Sequence, residues 1–420
     1  MFNHKKTDIV VLGAGPVGLT AAHALADRKM DYVLLDREQH TNTHSYALAL
    51  HPETLEILDS FGLAERVLEH SLQLQTVSIY EDDHEKASLD YSMLPLKYPF
   101  LTVISQGELE RILVDTLKKK SHTPLWSHRV RFIEEQDHAL NIAVDRLSEG
   151  MTGYAVAHIE MQIDKIFDYR ANYLIGADGQ ESVARHSAGI HFPEISPSTE
   201  YAIFEFKTDA DLPDEMRILI HGDKTHIFWP LPNGYCRWSF QVDTATTPTD
   251  LLPKDNSLIP IESCDATLLD RAHLDHLLSE NAPWFKGSVE ALTWKILTKF
   301  EHRLAKQFGN NRIWLAGDSA HAIPKAGTLS MNVGMREAYD LVEILSTDAS
   351  EAERKKRLAN YNRFRLAEWK YLLDLDHHLS ASDQTAQWIL RHHNSLIGNL
   401  PATGETLTLL LAQLHLIDAA

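Results

Sequence analysis

The sequence predicts an α/β protein with two sheets. One is a mainly parallel sheet covered by helices and assembled from separated stretches of chain. The other is a mixed or antiparallel sheet inserted between them, and a helical C-terminal region follows. Three observations carry this expectation. Helix and strand patterns alternate through the first 185 residues. Between about 186 and 295 they give way to short strands with period-two alternation. Glycine-bearing strand-turn-helix signatures lie on both sides of that stretch, so the domain that owns them must be discontinuous. The expected boundaries are 1–72, 101–185 and 296–345 for the discontinuous domain, 73–100 and 186–295 for the inserted one, and 346–420 for the helical end.

The first element is an apolar strand, Asp8 to Leu12, followed by the turn Gly13-Ala14-Gly15-Pro16-Val17-Gly18 and a helix with Leu19 to Leu25 on its apolar side. In this context Gly13 permits a tight turn, Gly15 lets a pyrophosphate reach the backbone and Gly18 lets helix and strand pack closely. Asp36 ends the next apolar run, Tyr32 to Leu35, where its carboxylate can accept hydrogen bonds from a ribose. A glycine turn with no ligand is the alternative. Pro52 and Gly62 bracket a helix, and residues 107–120, GELERILVDTLKKK, form another, with Leu109, Ile112, Leu113 and Leu117 on one face and lysines at its end.

A second signature, Tyr173 to Arg185, is a short strand, the Asp178-Gly179 turn and a polar helix start. By itself Asp-Gly is only a turn. The third, residues 312–332, RIWLAGDSAHAIPKAGTLSMN, delivers Asp318 to a loop that leads to a helix N-terminus near Met331. Free N–H groups there attract negative charge, so an acid beside them suits a polyhydroxylated, partly anionic ligand.

In the insert, strands are expected at Tyr201–Lys207, Arg217–Ile220, His226–Trp229 and Tyr235–Val242. Along the last of these, Tyr235, Arg237, Ser239 and Gln241 face one way and Cys236, Trp238, Phe240 and Val242 the other. The first set is the candidate floor for a planar aromatic substrate, with aromatics packing an ordinary core as the alternative. His226, Arg237 and Pro324 are the candidate catalytic residues, His226 for proton transfer with the substrate. For His226 the competing reading is a surface histidine. His321 is expected to orient its loop rather than transfer protons. The adjacent pairs His377-His378 and His392-His393 cannot share a helix face, so no metal site is expected.

Together the three signatures resemble the group A flavoprotein monooxygenases, the family of para-hydroxybenzoate hydroxylase, over residues 7 to 345. The resemblance implies a Rossmann-type FAD-binding domain. In it Gly13, Gly15, Gly18, Asp36 and Arg37 would hold the ADP half of FAD, and Asp318 the ribityl chain. Backbone groups at Gly327, Met331 and Asn332 would cradle the isoalloxazine, and Gln106 would contact the flavin. Asp178, Gly179 and Arg185 would lie near the pyrophosphate and serve nicotinamide use. It further implies NADPH or NADH as electron donor, O2 as co-substrate, and hydroxylation of an aromatic or polycyclic small molecule through a flavin C4a-hydroperoxide. Two departures stand out: Thr328-Leu329-Ser330 replaces a glycine-rich run, placing Ser330 where the family has glycine, and Tyr46 stands where an arginine often contacts cofactor. A related reductase or halogenase, or a flavin-binding sensor or interaction protein, is the alternative. A halogenase lacks its Trp-x-Trp-x-Ile-Pro segment here.

Bulk numbers agree. The 420 residues are 44% hydrophobic and 24% charged, as in ordinary globular chains. The 40 Lys and Arg against 59 Asp and Glu leave a net charge of −19, which opposes nucleic acid and anionic lipid. Phosphates can still be held locally by backbone N–H groups. Only Cys236 and Cys264 occur, so reduced thiols and a cytoplasmic location are expected, with an oligomer possible. No apolar run reaches the roughly 20 residues of a membrane span, and Leu407 to Ile417 is expected to dock as a terminal helix.

Overall fold

The computed structural model describes residues 5–41, 48–152, 158–243, 268–323, 328–375, 379 and 385–417. Tyr46, Cys264, Pro324, Gly327 and the His377-His378 pair lie outside the described residues.

Ile9, Val10 and Val11 are buried nearly completely, which fixes Lys5–Leu12 as the centre of a seven-stranded sheet. Strands Ile313–Leu315, His158–Gly176, Lys5–Leu12 and Tyr32–Leu35 lie side by side and parallel. Three further strands are antiparallel, a larger share than the sequence suggests: Gly309–Asn310 at one edge, Ala139–Thr152 laid against His158–Gly176, and His128–Gln136 laid in turn against Ala139–Thr152. Asp137 and His138, with φ of 51° and 60°, close the latter pair as a two-residue hairpin turn. That backbone conformation matches strand twist, but Asp-His is not a recognisable turn dipeptide.

The eight-stranded second sheet is ordered His321–Ala322, Val289–Leu304, Glu194–Thr208, Tyr235–Val242, Lys224–Leu231, Met216–His221, Thr76–Glu81 and His84–Asp90. All four strands expected in the insert are present: Tyr235–Val242 has the expected bounds and the other three are longer at both ends. The expected break at 295/296 falls inside the strand Val289–Leu304, whose Arg303 and Leu304 pair with Ala322 and His321. The second sheet is therefore tied directly to the loop after Asp318.

Its two faces differ. Cys236, Trp238 and Phe240 point with Phe204, Phe206 and Phe228 beneath the helix Arg271–Asn281, against Leu274, Leu277 and Leu278. Trp238 stacks on Phe240 at 5.2 Å between ring centroids. Ile227 and Trp229, which pair with Ser239 and Arg237, belong instead to the main core.

The C-terminal helices Glu351–Leu372, Gln387–Ile397 and Gly404–Gln413 close the molecule. Leu407, Leu410 and Leu411 are buried in the main core, as expected of a docked terminal helix. Among the described residues no helix is long and apolar enough to cross a membrane.

Candidate FAD site

The three turns meet at the carboxyl ends of the parallel strands, where open α/β sheets bind ligands. Gly13 has φ of 100°, and a Cβ on it would lie 2.1 Å from the Ala177 carbonyl oxygen. A Cβ on Gly18 would lie 1.8 Å from the Gly13 oxygen, so neither position admits a side chain without backbone movement. On Gly334 it would lie 2.7 Å from the Gly317 Cα and 2.8 Å from Val17. Segments some 300 residues apart are thus in van der Waals contact.

Gly15 is the exception, since a Cβ there would meet nothing within 4 Å. It is the N-cap of the helix Pro16–Asp27, and no side chain caps that end. Open space against a glycine at an uncapped helix N-terminus is a cradle for an anionic group. Asp36 stands beside it, its Oδ2 accepting the Ala14 N–H at 2.5 Å and its Oδ1 the Glu38 N–H at 2.8 Å. Burial raises the Asp36 pKa against those two hydrogen bonds, and ligand hydroxyls would add donors to that carboxylate. These residues fit the ADP half of FAD. Arg37 is exposed and hydrogen-bonds Glu38, and toward the cradle it contributes only its charge, which favours the Asp36 carboxylate.

Asp178 serves the protein itself. Its Oδ1 accepts from Ser182 Oγ at 2.6 Å and its Oδ2 from the Ala184 N–H at 3.2 Å, capping the short helix Val183–Ser187, and burial raises its pKa. Gly179, at φ of 77°, supplies the turn. Arg185 donates to the Ser319 and Gln180 carbonyls at 2.9 and 2.7 Å and lies 4.1 Å over Phe192. It thereby pins the second turn to the third, and borders a polar cavity of about 400 Å³ with Glu181, His186, Glu301 and Arg303.

At the third turn, Gly317 donates its N–H to Glu337 Oε2 at 2.8 Å and Ser319 Oγ donates to the Gly176 oxygen at 2.7 Å. Half-buried Asp318 points to the helix Leu329–Ser346 and accepts from Ser330 Oγ at 2.5 Å. Asn332 is fully buried and spends its side chain on protein: Oδ1 accepts the His51 N–H at 2.8 Å, and Nδ2 donates to the Ala49 and Thr328 oxygens at 2.9 and 2.8 Å. Its side chain is thus engaged, so a flavin ring here would have to meet backbone rather than the Asn332 amide. Gln106 lies one residue after the Ser105 N-cap, its Nε2 donating to Glu110 Oε1 at 2.8 Å.

Several partners here have no sequence motif. Thr328 takes a left-handed conformation, φ 56°, and its Oγ1 sits 3.0 Å from His51 Nε2. Glu337 is wholly buried, receiving Gly317 N–H, Trp369 Nε1–H at 2.9 Å and the His321 ring at 3.0 Å. Burial would push its pKa up, but the His321 charge and hydrogen bond, with Arg365 behind, hold it below the usual range. The expected structural role of His321 agrees with this setting. Only the fold reveals the partners of Glu337.

On the sheet face shared with Trp229, Arg237 is buried, ion-paired to Glu205 at 2.6 Å and 4.8 Å from the Trp294 ring centroid. His226 lies on the opposite face: it pairs in register with Leu219, tilts against Phe240 and accepts the Gln241 N–H at 3.1 Å. It is 1% exposed, with burial lowering its pKa to about 3, so a surface histidine is excluded and it is separated by the sheet from Arg237. The face carrying Trp238 and Phe240 is likewise core, leaving Arg237 and Ser239 as the side turned to the first domain.

Residues 6–375 match the family model described as FAD binding domain. Pentachlorophenol 4-monooxygenase of Sphingobium chlorophenolicum is 25% identical over 343 residues, 79% of this chain and 57% of the relative. For 6-methylpretetramide 4-monooxygenase of Streptomyces rimosus the identity is 26% over 358 residues, 84% of this chain and 58% of the relative. The chain therefore spans less than two thirds of the length of both. A p-nitrophenol 4-monooxygenase structure from Pseudomonas putida superimposes with a TM-score of 0.65 at 19% identity, covering 98% of this chain and 97% of that one, a likeness of fold. With the three turns in contact and residues 6–375 matched by the family model, the chain belongs to the FAD binding domain family.

Proposed function

We propose that the protein is an FAD-dependent monooxygenase that hydroxylates an aromatic or polycyclic small molecule at the expense of NADPH or NADH and O2. The observation that carries this reading is the open cradle at Gly15 flanked by Asp36, with Asp318 held at the far turn. The relatives named for monooxygenation of pentachlorophenol and 6-methylpretetramide support the substrate class.

Bound FAD would supply the electron transfer and the oxygen chemistry. This chain's part is to bind and orient. The helix Pro16–Asp27 and the Gly13–Gly15 backbone take the pyrophosphate, Asp36 the ribose and Asp318 the ribityl hydroxyls. The Arg237–Glu205 pair, buried on the inner face of the second sheet, gives a substrate hydroxyl or carboxylate a fixed polar partner while the sheet excludes water. No enzyme nucleophile is needed. The thiol of Cys236 is buried and free, which accords with a cytoplasmic protein.

The test is product analysis. Purified protein supplied with FAD, NADPH or NADH and a panel of phenols and polycyclic phenols should consume coenzyme in a substrate-dependent way and form oxygenated product only in air. Product formed equally under nitrogen would identify a reductase, and coenzyme oxidation that never yields product from any aromatic would refute the hydroxylase reading.

A further inference from the structure

We propose that the helix Glu351–Leu372 is a positioning element of the FAD site: through Tyr361 and Trp369 it fixes the backbone of the third turn, which carries Asp318. The inference rests on the FAD reading and deepens it.

Leu358, Tyr361, Arg365, Trp369 and Leu372 are buried at spacings of three or four residues, so one face of an otherwise highly charged helix turns inward. Two of them reach the turn. The strand Ile313–Leu315 ends just before it, and buried backbone groups at a strand end need partners from elsewhere. Tyr361 Oη donates to the Leu315 carbonyl at 3.0 Å. Trp369 Nε1–H donates to Glu337 Oε1 at 2.9 Å while Glu337 Oε2 accepts the Gly317 N–H at 2.8 Å, so a single carboxylate joins the helix to the turn. The Trp369 ring also lies 4.0 Å from the His321 ring, centroid to centroid. Asn362, next to Tyr361, accepts the Phe308 N–H at 2.7 Å, and the Phe308 carbonyl in turn accepts the Leu315 N–H at 2.8 Å.

These bonds bracket Leu315 to His321 from the outside. A helix that only covers a core buries apolar groups, whereas this one directs two buried donors at the path of the chain into Asp318. Gly317, at φ of 67°, makes the reversal there. With either donor removed, a buried acceptor loses a partner and the turn is left for the ligand to order, at a cost in affinity.

The experiment compares two ligands and three variants. Tyr361→Phe and Trp369→Phe each keep an aromatic ring and remove one donor. Tyr91→Phe is the control, since the Tyr91 hydroxyl is also buried but serves the Pro401 carbonyl, at 2.8 Å. Each protein is freed of ligand, followed through thermal unfolding, and titrated with FAD by flavin fluorescence and with ADP by calorimetry. FAD binding should weaken about fivefold in Tyr361→Phe and about tenfold in Trp369→Phe, with ADP binding within about twofold of wild type. Tyr91→Phe should unfold at a lower temperature yet bind both ligands as wild type does. ADP reaches only the first turn, so a general loosening would weaken both. Unchanged FAD affinity in either turn variant, a parallel loss of ADP affinity, or an equal FAD loss in Tyr91→Phe would overturn the proposal. Wild-type protein that binds ADP but not FAD would instead refute the underlying reading.

Discussion

The two ends of the cofactor cradle are built on opposite principles. At the first turn, Gly13, Gly15 and Gly18 work by having no side chain: two positions are filled by neighbouring backbone and the third is left open. At the third, Ser330, Thr328, Asn332, His321 and Glu337 fill the space with hydrogen-bonded side chains. A backbone grip holds a phosphate, whose charge is spread over several oxygens and tolerates many donor arrangements. A chain of hydroxyls needs a directed acceptor, and directed acceptors must be propped.

Four substitutions would break or sharpen this contrast. The largest effect is expected from Gly18→Ala, where the added Cβ meets the Gly13 carbonyl. Overpacking of this kind should cost about 3 kcal/mol or more and lower the melting temperature of ligand-free protein together with FAD uptake. A melting temperature like wild type would mean that the helix after the first turn does not pack against the Gly13 carbonyl.

Glu337→Gln comes next. Its partner His321 is fully buried, and breaking a buried pair costs about 3–5 kcal/mol. Because the Glu337 pKa is held below its ordinary value of 4.5, its contribution is present above about that pH and is lost as the pH falls through the lower folded value. Acid denaturation followed by circular dichroism should therefore be shallower in the variant. An identical acid transition would show that the pair carries no stability.

Gly15→Ala separates binding from folding. The new methyl enters open space, so unfolding of the ligand-free protein should change by less than about 1 kcal/mol. FAD and ADP affinity should both fall. Retained affinity would place the pyrophosphate elsewhere.

The smallest effect on turnover is expected outside both turns, at His226. Its pKa falls from 6.5 to about 3 on burial, so the unfolded chain takes up a proton that the folded chain does not, and stability declines as the pH drops from about 6.5 toward 3. His226→Gln should lessen that decline in urea denaturation and leave turnover of an aromatic substrate unchanged. A large loss of turnover would return His226 to the proton-transfer role first considered for it.

The contrast also explains what could be read in advance. Gly13 and Gly18 announce themselves because a steric requirement leaves glycine as the only residue that fits, Gly15 because it lies between them in the same turn, and Asp36 and Asp318 because each acid sits at the end of an apolar strand. Met216–His221 and its neighbours announce themselves through two-residue alternation. The antiparallel strands from His128 to Gly176 did not, since their turn is made by Asp137-His138 in a conformation that glycine or asparagine normally marks. Nor could alternation say which face of Tyr235–Val242 meets the cofactor domain, because an aromatic face suits a pocket and a core equally well. Packing beneath Arg271–Asn281 decided it.

By itself the sequence determined the class of fold and marked the glycine turns and the strand-end acids, which depend on local backbone geometry and on the period of apolar residues, while the FAD expectation came from the family resemblance of those turns taken together. Only the tertiary structure decided that Ser330, an apparent intrusion where glycine is usual, meets Asp318 and His321, and that His226 faces away from Arg237. Those outcomes depend on which distant surfaces come together, and a hydrogen bond between residues far apart in the chain leaves no periodic trace along it.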